Sequence, residues 1–175
     1  VSVRVARSAD AAGIADVAAL TFPLACPPGT RPEDIEHFIS TVLSVENFEA
    51  YIADEARTVL IDEPTEAGIL GYAMLVAGLP ADPGIRAVLS AEPTLEISKL
   101  YVRPTEHGNG VAGRLISSAL SYARESGCRG AWLGVNNQNA RAQRFYSKHG
   151  FEIVGTKTFV VGVQTHDDYV MQVRL

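Results

Sequence analysis

The stretch LEISKLYVRPTEHGNGVAGRLISSAL, running from Leu95 to Leu120, decides how the chain is read. Its first part, Leu95–Val102, is apolar and β-branched enough for a buried strand. Arg103-Pro104 ends that strand, because proline fixes its own φ and has no amide to give a ladder. Gly108, Gly110 and Gly113 then fall within six residues and lead into an amphipathic run. Glycines so placed let the backbone approach a ligand closely, and the first N–H groups of the following helix have no intrahelical acceptor. Together with the positive end of the helix dipole, those donors suit a phosphate or pyrophosphate. A phosphate-bearing cofactor at a helix N-terminus is the first expectation, and a tight turn without a ligand is the alternative.

Gly108-Asn109-Gly110-Val111-Ala112-Gly113 also matches the dinucleotide fingerprint G-x-G-x-x-G. That reading needs an acidic residue about 20 positions on, to hold the ribose hydroxyls. No Asp or Glu lies between Glu125 and Glu152. An NADP-type site can use an arginine there instead, so an NAD(P)-binding protein stays among the alternatives. The turn also follows a long N-terminal stretch, whereas a Rossmann domain usually starts with it.

Composition narrows the class. A chain of 175 residues suits one domain over 1–175, large enough for a real core. A hydrophobic content of 47% argues for a globular chain and against disorder. The net charge of −5 argues against a general nucleic-acid binder. Cys26 and Cys128 are far apart and fit no metal or redox spacing, which reads as two free thiols in a reducing cytoplasm. No apolar run reaches membrane-spanning length, and VSVRVARSADAAG lacks the apolar core of a signal peptide. The expectation is a cytoplasmic protein with no metal, no nucleic acid and no membrane partner.

Taken in order, Val3–Ala6 reads as a short strand. Ser8 or Asp10 caps a helix to about Leu20, and Phe22–Gly29 is a proline-rich break. Thr30-Arg31-Pro32-Glu33 reads as a capping box opening a helix through Ile35, Phe38 and Val42, with Ser44 capping a further short one. Arg57–Asp62 and Ile69–Ala77 are strands around a hairpin turn, and Gly78–Pro93 is a long surface segment with a helical turn near Ile85–Leu89. After the glycine turn comes a helix ending at Gly127, then a strand over Gly130–Val135 and a helix over Asn137–His149. Phe151–Val154 starts a strand, and Thr158–Val163 and Tyr169–Arg174 form a hairpin around Thr165-His166-Asp167-Asp168. This is an α/β protein with a mixed, mostly antiparallel sheet and one parallel stretch at the glycine turn.

Leu133-x-Val135-x-x-x-Asn139-x-x-Ala142-x-x-x-Tyr146-x-x-x-Gly150-Phe151 follows the glycine turn by some twenty residues and resembles the second motif of the GNAT N-acetyltransferases. His107-x-x-Gly110-x-Ala112, preceded by Leu100-Tyr101-Val102-Arg103-Pro104, resembles their first, usually Q/R-x-x-G-x-G/A. His107 is the departure from that pattern. Two linked motifs over Leu95–Phe151, with a matching element order outside them, are far more specific than one glycine run.

The resemblance implies the GNAT acyl-CoA N-acyltransferase fold, with acetyl-CoA as co-substrate and an amine acceptor that attacks the thioester directly. It implies that His107, Gly108, Asn109, Gly110, Val111, Ala112 and Gly113 hold the pyrophosphate. It further implies that Leu100, Tyr101 and Val102 hold the pantetheine arm where their strand splays from Gly130–Val135. Asn139 would hold the pantetheine amide or cap its helix. Tyr146 would protonate the departing thiolate, or else pack on its helix face as Phe145 does. An amide near Leu100 or Tyr101 is a candidate to polarise the thioester carbonyl.

Glu96 is the candidate general base. By period-two alternation it shares a face with Ser98, Leu100 and Val102, with Lys99 and Tyr101 on the other. A salt-bridged structural Glu96 is the alternative. Tyr72 is a second candidate that equally suits a core position. His166-Asp167-Asp168 in a turn offers charge for a cationic substrate or is simply solvated. Pro32-Glu33-Asp34 and Glu46–Tyr51 loosely resemble the bacterial polyamine acetyltransferases, so a small amine or polyamine is the expected acceptor. A non-catalytic acyl-CoA-binding regulator of the same fold and a different acyl donor remain open. A homodimer is expected, as such folds often pair.

Overall fold

The computed structural model describes residues 2–175. Seven strands form one sheet in the order β1-β2-β3-β4-β5-β7-β6: β1 Val3–Val5, β2 Arg57–Asp62, β3 Gly71–Ala77, β4 Thr94–Val102, β5 Gly130–Asn136, β6 Glu152–Val161 and β7 Gln164–Arg174. Every pairing is antiparallel except β4 with β5. That pair is joined by helix α5 (Val111–Glu125), since parallel neighbours need a crossover. Val111, Leu115, Ile116, Ala119, Leu120 and Ala123 recur at helical spacing and are buried against Leu75, Leu95, Ile97 and Leu133. Gly127, at φ +83°, stops the helix as expected of a C′ glycine. Helix α6 (Ala140–Lys148) packs Ala142, Phe145 and Tyr146 on the same face of the sheet.

Helices α1 (Ala11–Ala25), α2 (Pro32–Thr41) and α3 (Val45–Ala53) cover the opposite face, over a second core that includes Ile14, Val17, Phe48, Ile61, Tyr72 and Met74. A short helix α4 (Pro83–Val88) extends that cover over Trp132 and Val170. Trp132 and Tyr72 are thus core residues.

Several local expectations give way to tertiary packing. Helix α1 does not break at Phe22 but continues through Pro23 to Ala25. Phe22 stacks on Phe38 of α2 at 4.5 Å, which holds the last turn in place. The capping box at Thr30–Glu33 does not form. Thr30 Oγ1 donates to the Pro27 carbonyl at 2.7 Å, and the Arg31 N–H donates to Gln164 Oε1 at 2.9 Å, so a distant side chain replaces the local one. Ser44 does cap α3, accepting from the Asn47 N–H. The last hairpin turns at Gly162-Val163, where Gly162 takes φ +61°, and not at Thr165–Asp168. His166, Asp167 and Asp168 are therefore strand residues, and Asp168 is buried.

The correction with most consequence lies in β4. Met74 pairs with Lys99 and Leu75 pairs with Ile97, which leaves Ser98 as the extra residue of a bulge. One inserted residue reverses the alternation. Leu95, Ile97, Leu100 and Val102 all join the α5 core, while Tyr101 packs with the opposite one and Lys99 Nζ lies over the Tyr51 ring of α3. Glu96 therefore shares its face with Lys99 and Tyr101, and not with Leu100 and Val102.

Candidate active site

Strands β4 and β5 pair only over Thr94–Glu96 and Gly130–Trp132. Beyond that, β5 stays with β7 as far as Asn136, and β4 stays with β3 to Val102. The β5-facing edge of β4 from Ile97 onward is left without a strand partner. A half-buried edge with free amides and carbonyls calls for another polar chain. The gap opens into a cleft of about 760 Å³ that runs from the glycine turn to the faces of α1, α2 and β6.

At one end of the cleft lies the turn His107–Gly113. Gly108 and Gly110 adopt φ +88° and +81°, which only glycine takes without strain. Gly110 is the N-cap of α5. Among the described residues, the amides of Gly108, Gly110, Val111, Ala112 and Gly113 find no backbone acceptor. A Cβ at Gly108 or Gly113 would meet open space, so the backbone is uncovered there. Arg141 of α6 donates from Nη1 to His107 Nδ1 at 3.1 Å, which adds a fixed positive charge beside the turn. These residues fit a pyrophosphate. Arg141 was not among the sequence candidates, because its place depends on how α6 meets the turn.

The middle of the cleft holds Leu100, Tyr101, Val102, Asn139 and Tyr146. Asn139 Oδ1 accepts from the Ala142 N–H at 3.1 Å, so it caps α6, and among the described residues its Nδ2 has no acceptor. Tyr146 packs its ring against Phe145 and Phe151, at 5.3 and 5.8 Å between centroids. Among the described residues its hydroxyl has no hydrogen-bond partner. Burial pushes that phenol up to about 12, which keeps it protonated at any physiological pH. Burial raises the Tyr101 phenol as well, with the Tyr146 hydroxyl adding to the effect. Tyr72, the second candidate, lies outside the cleft, fully buried beside Phe48 and Tyr101. Cys26 lines the cleft, and burial raises its thiol to about 11.

At the far end, Glu96 and Lys99 from β4 meet Lys157 from β6 and Asp168 from β7. Glu96 makes no ion pair or hydrogen bond among the described residues, so the salt-bridged alternative is absent. Desolvation raises its carboxyl, partly offset by Lys157, Lys99 and Arg57. Desolvation also lowers Lys99 to about 8. Lys157 and Asp168 are direct cross-strand partners, with Nζ 3.7 Å from Oδ2. Phe22, Phe38 and Phe159 form the apolar wall. Sequence reasoning missed Lys99 and Lys157 here, and it offered Asp168 as a charge for the substrate but placed it in a turn and not on β7. The alternation Gly155, Lys157, Phe159, Val161 was the available signal for one long strand, but nothing local marks the bulge at Ser98.

The comparisons with known proteins agree with this geometry. The model of the Acetyltransferase (GNAT) family matches residues 23–151, which take in the turn, both splayed strands and α6. An uncharacterized N-acetyltransferase of Mycobacterium tuberculosis is 44% identical over 162 residues, covering 93% of this chain and 96% of that one. The PaiA N-acetyltransferase of Thermoplasma acidophilum, solved with coenzyme A, shares the fold at a TM-score of 0.76 over 100% of both chains, with 18% identity. YncA of Salmonella typhimurium, a putative acetyltransferase solved with acetyl-CoA, is 27% identical at a TM-score of 0.65, covering 99% of this chain and 92% of its own. A glycine turn with free amides, a strand edge without a partner and a family match spanning both make this chain a member of the GNAT acetyltransferase family, and so an acyltransferase.

Proposed function

We propose that this chain is a one-domain enzyme that transfers the acetyl group of acetyl-CoA to the primary amine of a small molecule, in one step within a ternary complex. The observation that carries the reading is the meeting of three features in one cleft: free turn amides, the unpaired edge of β4 and the Tyr146 hydroxyl. Within the turn His107–Gly113, the N–H groups of Gly108, Gly110, Val111, Ala112 and Gly113 would hold the pyrophosphate, while those of His107 and Asn109 are taken by the Pro104 and Glu106 carbonyls. The β4 edge at Leu100, Tyr101 and Val102 would pair with the peptide-like pantetheine arm as a missing strand does. Asn139, its oxygen used by the α6 cap, would offer its Nδ2–H to a pantetheine carbonyl.

The chemistry assigned to the side chains balances without an acyl-enzyme. The amine nitrogen forms its bond to the thioester carbonyl carbon, and the carbon–sulfur bond breaks. The proton leaving the amine goes to Glu96, directly or through water. The departing sulfur takes a proton from Tyr146, whose protonated phenol suits a donor and not a base. An amide of Leu100 or Tyr101 stabilises the carbonyl oxygen as charge develops. A Cys26 thiol held at about 11 is a poor nucleophile, which supports direct attack.

Calorimetric titration and thermal shift with acetyl-CoA, CoA, NAD and NADP side by side test the cofactor. A ligand bound only by the folded chain must stabilise it in proportion to occupancy. Acetyl-CoA and CoA are expected to bind and raise Tm, and the nicotinamides to do neither. Binding of NADP without acetyl-CoA would overturn the reading. Release of free thiol in the presence of an amine panel separates an enzyme from a non-catalytic acyl-CoA-binding protein of the same fold.

A further inference from the structure

The far end of the cleft bears on which amine is accepted, and this step rests on the acetyl-transfer reading above. Its charged groups can be sorted by what each already engages. Lys157 and Asp168 face each other across β6 and β7. Arg57 Nε donates to Asp54 Oδ2 at 3.2 Å, and its guanidinium lies over the Tyr51 ring. Glu96 and Lys99 remain. Both line the cleft and both lie on the same face of β4 because of the Ser98 bulge. Among the described residues, neither has an ion pair or hydrogen bond. The cleft thus offers a carboxylate and an ammonium that lack an oppositely charged partner, the ammonium 5.6 Å from the Tyr51 ring, three positions apart in sequence and beside the apolar wall of Phe22, Phe38, Leu43 and Phe159.

Each free charge in a partly desolvated cleft is complemented by the opposite charge on a ligand. A polyamine supplies only cations. It would meet the Lys99 ammonium with no carboxylate to offer it, and that like-charge contact would count against it. A molecule carrying an amine and a carboxylate a few bonds apart satisfies both free groups at once. Its apolar side group would pack on the phenylalanine wall.

We infer that the acceptor is a free α-amino acid with an apolar side chain, its amine directed to Glu96 and its carboxylate bound by Lys99. Lys99 is then a specificity-determining residue, separate from the acid and base of the reaction. Burial lowers its ammonium to about 8, which leaves it mostly charged at neutral pH, and a bound carboxylate would favour the charged form further.

Thiol release is measured with leucine, methionine and phenylalanine, each against the matched amine that lacks the carboxylate, and with leucinamide and spermidine. The free amino acids are expected to exceed isoamylamine, phenethylamine and leucinamide by about tenfold or more in kcat/KM, the range of a charged hydrogen bond, with spermidine the poorest. In Lys99→Met the ratio of leucine to isoamylamine collapses about tenfold through KM, and Lys99→Arg, which keeps the charge, retains most of it. Spermidine or the carboxylate-free amines performing as well as leucine would overturn the inference. So would a Lys99→Met variant that lowers both acceptors equally. Acetyl-CoA binding without any acetylated amino acid defeats the acceptor assignment alone, whereas no acetyl-CoA binding defeats the acetyl-transfer reading beneath it.

Discussion

The two ends of the cleft are built in opposite ways. The turn end is made almost entirely of backbone from one continuous segment, His107–Gly113, and its donors are amides whose freedom follows from helix geometry. The far end is made of side chains from β4, β6, β7, α1 and α2, brought together by a bulge and a hairpin. The first kind of site binds what is common to every reaction in a family, because backbone amides do not depend on residue identity. The second kind can change acceptor through a few side chains without disturbing the sheet. Under the proposed function, the shared co-substrate would bind at one end and the acceptor would be chosen at the other.

Three variants test that division, beginning with the largest effect. Tyr146→Phe removes a hydroxyl that holds no partner among the described residues. It should lower kcat on the order of 100-fold while leaving acetyl-CoA affinity and Tm nearly unchanged. An unchanged rate, with chemistry shown to be rate-limiting, would leave Tyr146 as a packing residue at the boundary of the two halves.

Glu96→Gln should lower kcat/KM by on the order of tenfold, most in the range above the folded-state pKa of Glu96 and below that of the amine, where the carboxylate is ionised and the amine still carries the proton to be lost. Its stability effect has the opposite sign. The folded-state pKa of Glu96 is raised by desolvation, so its stabilising contribution is present below the unfolded value and is lost as pH rises through the folded one. The variant should therefore melt higher than the parent at pH 8 and no higher at pH 4. A uniform small loss of activity at every pH would mark Glu96 as structural.

Gly110→Ala tests the backbone end. It forces a side chain to φ +81° and sets a Cβ 3.2 Å from Arg114 Nη1, whose guanidinium pairs with buried Asp62. A stability loss of about 1 kcal/mol by denaturant titration is expected, with weaker acetyl-CoA binding by calorimetry and an unchanged ranking of acceptors. A changed ranking would show that the two ends are not independent.

How far the sequence could be read follows the same division. The glycine turn, α5, α6 and the parallel β4–β5 unit were all legible, because helical spacing, positive-φ glycines and the Asn139 cap act over a few residues. The separation of β4 from β5 was legible only through the family resemblance. The second half of the chain misled at Thr165–Asp168, where polar residues looked like a turn. They belong to a strand because Lys157, Phe159 and Val161 supply a matching face across the ladder. Thr30–Glu33 misled in the same way, since Gln164 offered the helix entrance a partner 133 residues away.

The sequence by itself determined the α/β class and the turn that suits a phosphate, because the glycine positions and the apolar periods act locally, and the linked motifs supplied the family fold. Tertiary structure alone decided which charges share the acceptor end. Strand alternation places Glu96 with Leu100 and Val102, and the single unpaired residue Ser98 turns it instead toward Lys99 and Tyr101. A bulge is set by the register between two strands, and register is a property of the pair and not of either sequence.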